Sequence, residues 1–322
     1  MNAHTGRILH GIRSRALRRR ALAAVTALVA LTGCGQASPG TISLGAAATL
    51  GRAQGSHVVL VMLENAGYGE VIGDPAAPYV NRLARRYGVM TRSYAMRHPS
   101  LPNYLALTSG STQGIDSDCS DCEVSAWNIV DQLEGAGISW KAYLEDVPRP
   151  CFAGAAAAGY AKKHNPFAYY TDVAGSPARC RRLTGFGQLA ADLRAGRLPT
   201  YAWISPNLCD DGHDCGVAAA DRFLARSVPA LLRELGPRGF LVLQWDEGTS
   251  DAGCCGVAKG GHVATIVAGP TVRAGARSAA PIDSYGVLAS IEDALGLPPL
   301  GGAADPRSGR LTALFTQAPR LR

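Results

Sequence analysis

Apolar residues in this chain fall in short unbroken runs rather than in alternation. Residues 57–63 read His-Val-Val-Leu-Val-Met-Leu and residues 239–244 read Gly-Phe-Leu-Val-Leu-Gln. Similar runs lie near 89–95, 138–144, 200–205 and 262–268. A continuous run predicts a strand buried on both faces, and runs spaced by helical segments predict a mostly parallel sheet covered on each side. Helices are expected over 78–87, from Ser100 to about Gly110, from about Ser125 to Gly135, near 186–195, over 218–235 and over 284–295. The stretch 145–185 carries Pro, Gly and two cysteines and reads as irregular, loop 248–260 links the last two strands, and 299–322 reads as a loose tail. There is no internal repeat. The fold class is therefore α/β, with one domain over about 56–315 and a short end over 316–322.

Two of the apolar runs stop at oxygen donors. The first ends at Glu64-Asn65 and the second, after Trp245, at Asp246-Glu247. In an open parallel sheet, ligands sit beyond the carboxyl ends of the strands. Adjacent acids at a buried strand end are costly unless a cation pairs them. Four hard oxygen ligands, distant in sequence, can thus converge on one divalent cation. The competing expectation is that these residues cap the next segments or face water.

Ser100 sits where a loop enters a helix, in His98-Pro99-Ser100-Leu101-Pro102-Asn103-Tyr104. A serine there commonly caps the helix. The same place also suits a nucleophile, because a cation held by Glu64, Asp246 and Glu247 would acidify its hydroxyl. Asn103, one turn on, would face the same way and hold a phosphoryl oxygen. His164 and His213 lie in loops, His213 after a strand and among acids that would orient it to protonate a leaving group. His262, at the start of the last strand, is a candidate ligand for a second metal.

Charge changes the picture little. The formal net charge is +7, but residues 1–33 hold six arginines and no acid, and subtracting them leaves +1. No basic stripe remains to track phosphates, which argues against nucleic acid as a partner. Residues 1–33 read as an export signal, with an apolar stretch from Ala21 to Leu31 too short to span a bilayer. Leu31-Thr32-Gly33-Cys34 reads as a lipobox, so membrane attachment through a lipidated Cys34 is expected, ordinary cleavage nearby being the alternative. Residues 34–55 read as a flexible tether.

The nine cysteines fit export. Without Cys34 they number eight, and proximity suggests Cys119–Cys122, Cys151–Cys180, Cys209–Cys215 and Cys254–Cys255 as disulfides in an oxidising compartment. A zinc site from Cys119, Cys122, Cys254 and Cys255 is the rival.

Taken together, these elements resemble a bacterial phosphoesterase family that contains acid phosphatases and phospholipases C, within the alkaline phosphatase superfamily. The resemblance runs over roughly 57–298. It rests on Val-Met-Leu-Glu-Asn-Ala-Gly-Tyr, His-Pro-Ser-Leu-Pro-Asn-Tyr, Lys-His-Asn-Pro-Phe, Ser-Pro-Asn with Asp-Asp-Gly-His-Asp, Trp-Asp-Glu, and His-Val-Ala-Thr-Ile-Val-Ala-Gly-Pro, in that order. It implies an alkaline-phosphatase-like three-layer sandwich. It implies a metal held by Glu64, Asn65, Asp246 and Glu247, with one ion expected and two allowed. Ser100 would be the nucleophile, forming a phosphoserine, and Asn103, His164 and His213 would contact the phosphoryl group or leaving oxygen. Two departures stand out: some members carry paired histidines where this chain has Lys163-His164, and some carry two aspartates where it has Asp246-Glu247. Lys163 would supply positive charge to the phosphate. The implied activity is hydrolysis of a phosphate ester. The rivals are a serine acyl hydrolase, disfavoured by the lack of a Gly-x-Ser-x-Gly elbow, and an inactive binding module.

Overall fold

A computed structural model describes residues 55–321 of the chain. The signal-like segment, Cys34 and nearly all of the tether lie outside these residues.

Among the described residues eleven strands form in chain order: β1 (Val58–Leu63), β2 (Gly88–Tyr94), β3 (Trp140–Leu144), β4 (Ala156–Ala157), β5 (Tyr160–Ala161), β6 (Leu183–Thr184), β7 (Tyr201–Ser205), β8 (Phe240–Trp245), β9 (His262–Ala268), β10 (Ala276–Ser278) and β11 (Ile282–Asp283). β4 and β5 make a separate small hairpin. The others build one sheet in the order β10-β2-β9-β8-β1-β7-β3-β6, with β11 also on β2. Every pairing is parallel except those of β9, which runs against both β8 and β2.

The unbroken apolar runs are explained by two cores. Val58, Leu60 and Met62 of β1 enter the core shared with α3 (Ser100–Ser109), α4 (Ile129–Gly135) and α9 (Ser284–Leu295). Val59, Val61 and Leu63 enter the core shared with α2 (Pro78–Arg86), α7 (Phe186–Arg194) and α8 (Val217–Glu234). Successive side chains leave opposite faces of a strand, so a strand between two helical layers must be apolar throughout. The expected three-layer α/β architecture is present.

Two segments differ from expectation. Residues 145–185, read as irregular, contain the β4–β5 hairpin, a 3-10 turn over Lys162–His164, α5 (Thr171–Ala174), α6 (Pro177–Cys180) and β6. The loose tail is part of the core: Leu300, Ala303, Leu311 and Leu314 are buried, and Phe315 packs edge-on against Phe240. Short 3-10 turns carry these residues, so no helical or strand period announces them. The tail also fixes the end of α3. Gly110 has φ 66°, and a Cβ there would lie 2.0 Å from the Leu300 carbonyl oxygen. Only glycine fits that close approach.

The four disulfides are the ones suggested by proximity: Cys119–Cys122, Cys151–Cys180, Cys209–Cys215 and Cys254–Cys255. They leave no thiolate among the described residues for zinc.

If the terminal segment is core, Leu314→Ala costs about 2–5 kcal/mol of unfolding free energy, the range for a buried leucine. Urea denaturation measures this, and a loss below about 0.5 kcal/mol would mean the segment packs as loosely as a surface loop.

Candidate active site

β1 and β8 are neighbours, with Leu63 opposite Trp245, so Glu64 and Asp246 leave the same edge of the sheet side by side. Glu247 follows one residue on. All three carboxylates are buried. Asp246 Oδ1 accepts the Asn65 amide N–H at 3.1 Å, while Oδ2 is buried with no hydrogen-bond partner. Burial raises the Asp246 pKa well above the usual range, and Glu64 and Glu247 beside it raise it further. Burial likewise raises Glu247, against the pull of His98. Asn65 reaches this corner through its backbone: it has φ 47°, which asparagine tolerates, and its residue surface is exposed.

Ser100 is the first residue of α3, and the cap position before it belongs to Pro99. The Ser100 hydroxyl makes no capping bond. Its Oγ lies 3.1 Å from Glu64 Oε2 and 3.1 Å from Glu247 Oε1. The capping expectation therefore fails, and the helix start is served instead by Asp118, which accepts Leu101 N–H at 2.9 Å.

The next strand over, β7, leads into the loop closed by Cys209–Cys215, which supplies Asp211 and His213. His164 stands between Asp211, 3.0 Å from its Nδ1, and Glu64, 3.3 Å from its Nε2. Burial opposes charge on this ring, but the two carboxylates outweigh it and raise its pKa. In return His164 and Tyr104 hold Glu64 below its ordinary pKa despite complete burial. Tyr104 donates its hydroxyl to Glu64 and stacks on His164 with centroids 5.3 Å apart. Burial and Glu64 raise the Tyr104 pKa well above normal, which keeps it a donor.

Lys163 Nζ bonds Asp118 at 2.9 Å and approaches His213 Nε2 at 3.2 Å. Burial opposes its charge, but Asp118, Glu64 and Asp246 raise its pKa. His213 Nδ1 lies 2.7 Å from Asp214 Oδ1. Donor atoms of Glu64, His164 and His213 fall within 4.8 Å of one another.

Two expected residues are placed otherwise. Asn103 does not present a free amide: Oδ1 accepts from Met96 and Arg97 N–H, and Nδ2 donates to the Arg97 and Pro99 carbonyls. That exhausts an asparagine. His262 lies at the site end of the sheet because β9 is antiparallel, but its Nε2 meets the Thr91 carbonyl at 3.0 Å and its ring is stacked by Tyr68 and Tyr94. The nitrogens near Glu64 are those of His164 and His213 instead.

Four residues of the site went unassigned from sequence. His98, paired with Glu247, and Tyr104 lie within the same motif as Ser100 and carried that much signal. Asp211 lay among the acids around His213. Asp118 had no local signal at all.

The Phosphoesterase family profile matches residues 74–298. The chain belongs to the Phosphoesterase family. It is a phosphoric ester hydrolase, similar over 252 residues, at 31% identity, to the phosphatidylinositol-3-phosphatase of Mycobacterium tuberculosis, covering 78% of this chain and 80% of that one. It is also 31% identical to a probable acid phosphatase of Kluyveromyces lactis and 28% identical to an acid phosphatase of Aspergillus fumigatus, over 75% of this chain in each case. The alignments span only 58% and 55% of those fungal proteins. Such relatives extend the family beyond bacteria. Among solved structures, the lipoteichoic acid synthase of Listeria monocytogenes superposes with a TM-score of 0.56 at 10% identity, covering 80% of this chain and 76% of that one. An alkaline phosphatase superfamily protein of Vibrio parahaemolyticus gives 0.52 at 12% identity, covering 80% and 70%. These establish the alkaline-phosphatase-like fold of this phosphoesterase.

Because four backbone groups depend on its amide, Asn103→Ala is expected to lower stability by about 2–4 kcal/mol. Thermal unfolding beside KM and kcat checks this. A large rise in KM with unchanged stability would return Asn103 to a substrate contact.

Proposed function

We propose that Ser100 attacks phosphorus in line, forming a phosphoserine that water then hydrolyses. The observation that carries this is the Ser100 hydroxyl, uncapped and held 3.1 Å from a carboxylate on each of two strand ends. A nucleophilic serine needs its proton taken, and no histidine ring stands in hydrogen-bond range of Oγ among the described residues. That geometry disfavours an acyl hydrolase built on a serine–histidine pair.

The donor set fits a divalent cation. Glu64, Asp246 and Glu247 are hard oxygen ligands gathered in one buried corner, and Asp246 Oδ2 lacks a partner there. Carboxylates so placed repel one another unless a cation balances them. Those three would hold it, with Asn65 beside them; Glu64, His164 and His213, whose donor atoms lie within 4.8 Å of one another, are the alternative place for a cation, and a cation there would take those two rings out of proton transfer. A bound divalent cation would lower the serine hydroxyl pKa and offset charge on the phosphoryl oxygens.

The remaining roles follow from placement. Lys163, fixed by Asp118, offers its ammonium to the phosphoryl oxygens. His213, with Nδ1 held by Asp214, is the proposed proton donor to the leaving oxygen, a role open to it once Lys163 turns from Nε2 to the phosphoryl oxygens. His164 pairs with Glu64 by charge across 3.3 Å and would hold it in place. A phosphomonoester is the favoured substrate class, since the similar proteins bear phosphatase names. Four disulfides support export, and attachment through Cys34 is the proposed mode of anchorage. No helix among the described residues is long and apolar enough to cross a membrane.

Ser100→Ala is expected to reduce turnover of a generic phosphomonoester by at least about a thousandfold, with folding intact. A chelator is expected to abolish turnover reversibly. Full activity of the alanine variant would rule out the covalent route.

A further inference from the structure

Among the described residues the outer face of α2 and α8 is basic and unpartnered, a local concentration of charge that the near-neutral balance beyond residue 33 does not reveal. Arg82, Arg85 and Arg86 project from α2, which contains no acid, and Arg233 projects from the end of α8. All four are exposed, and none makes an ion pair among the described residues. The acids of these helices, Asp221 and Glu234, are buried, and Asp221 is bonded to Val80 N–H. Between the two helices runs a cavity of about 540 Å³ floored by Leu83, Pro229 and Leu232 and flanked by half-buried Tyr79 and Tyr87. Arg82 and Arg86 lie over those two rings at 5.3 Å. Through Tyr87 and Leu232 it continues into a second cavity of about 380 Å³ that reaches Arg233 and Gly236.

Position separates this groove from the active site. Arg85, Arg86 and Tyr87 directly precede β2, and Arg233 precedes β8, so the groove lies at the amino ends of the parallel strands. The site lies at their carboxyl ends. The preceding chain arrives at the groove: a Cβ on Gly236 would sit 1.7 Å from the Gly55 carbonyl oxygen, and Ser56 Oγ accepts the Arg238 N–H at 3.1 Å. Fifty-four residues precede Gly55.

We propose that this arginine–tyrosine groove docks the domain onto an anionic phospholipid surface. Guanidinium groups with apolar stems, interleaved with tyrosines around an apolar floor, match lipid headgroups over an acyl boundary. Arrival of the preceding chain at the same end favours a membrane over a nucleic acid, because that segment reads as the export and anchoring end. Docked in this way, the active site faces away from the bilayer and takes its phosphate ester from the aqueous side. The docking is independent of the chemistry assigned to Ser100.

The test reconstitutes the full chain into phosphatidylcholine vesicles with and without phosphatidylglycerol and maps hydrogen exchange. Anchorage is then common to both, and docking alone is read. Exchange at 78–87 and 229–238 slows only on the anionic vesicles, and high salt removes the difference. Each arginine removed in the series R82Q, R85Q, R86Q and R233Q reduces the docking equilibrium roughly fivefold, while the matching lysine variants retain it. Hydrolysis of p-nitrophenyl phosphate stays unchanged throughout, which confirms folding. Equal exchange on both vesicle types overturns the proposal. So does protection confined to the Ser100 end, or protection by duplex DNA as strong as that by anionic vesicles.

Discussion

Three carboxylates confined to one buried corner repel each other, and most of the site is arranged around that repulsion. Glu64 is countered by the ring of His164 and the hydroxyl of Tyr104. Glu247 is countered by His98, while Asp246 makes one hydrogen bond, to the Asn65 backbone N–H, and feels the charges of His164 and Lys163 without bonding either. The corner is incomplete as it stands: the Asp246 pKa is driven upward and one of its oxygens has no partner. A fold stabilised chiefly by apolar burial keeps such an arrangement only where something else meets it. In the proposed mechanism that something is a divalent cation, and Ser100 is the group that benefits.

The sheet order makes this corner possible. β8, β1 and β7 are adjacent, so residues separated by about 180 positions emerge at one edge. The helix carrying Ser100 is buried along its whole length and locked at its far end, where Gly110 meets the terminal segment. At its near end, Asn103 ties down the loop that carries His98. The proposed nucleophile is therefore set by rigid elements at both ends of one helix, as precise positioning requires.

Much of this was legible in the chain. Unbroken apolar runs predicted the strands, because burial on both faces writes itself into sequence, and the acids at their ends meet in one buried corner. The Cys209–Cys215 pairing could be read from proximity. What failed did so for physical reasons. Asn103 has the right residue type and helical spacing for a phosphate ligand, but spacing says nothing of an amide already engaged by its own preceding loop. His262 reaches the right end of the sheet, yet its ring turns to Thr91 between two tyrosines. Asp118 acts through tertiary contact with Leu101 and Lys163, which no local pattern encodes. The terminal segment packs through irregular 3-10 turns whose apolar residues lack a period.

The most direct measurement is thermal unfolding of the metal-stripped protein and its Asp246→Asn variant, with and without an added divalent cation. Removing one charge from the crowded corner should leave the metal-free variant at least as stable as the parent. The cation should raise the parent's Tm and leave the variant's nearly unmoved. A variant that is less stable without metal, together with equal cation-induced shifts in both proteins, would contradict a metal cradle at the ends of β1 and β8.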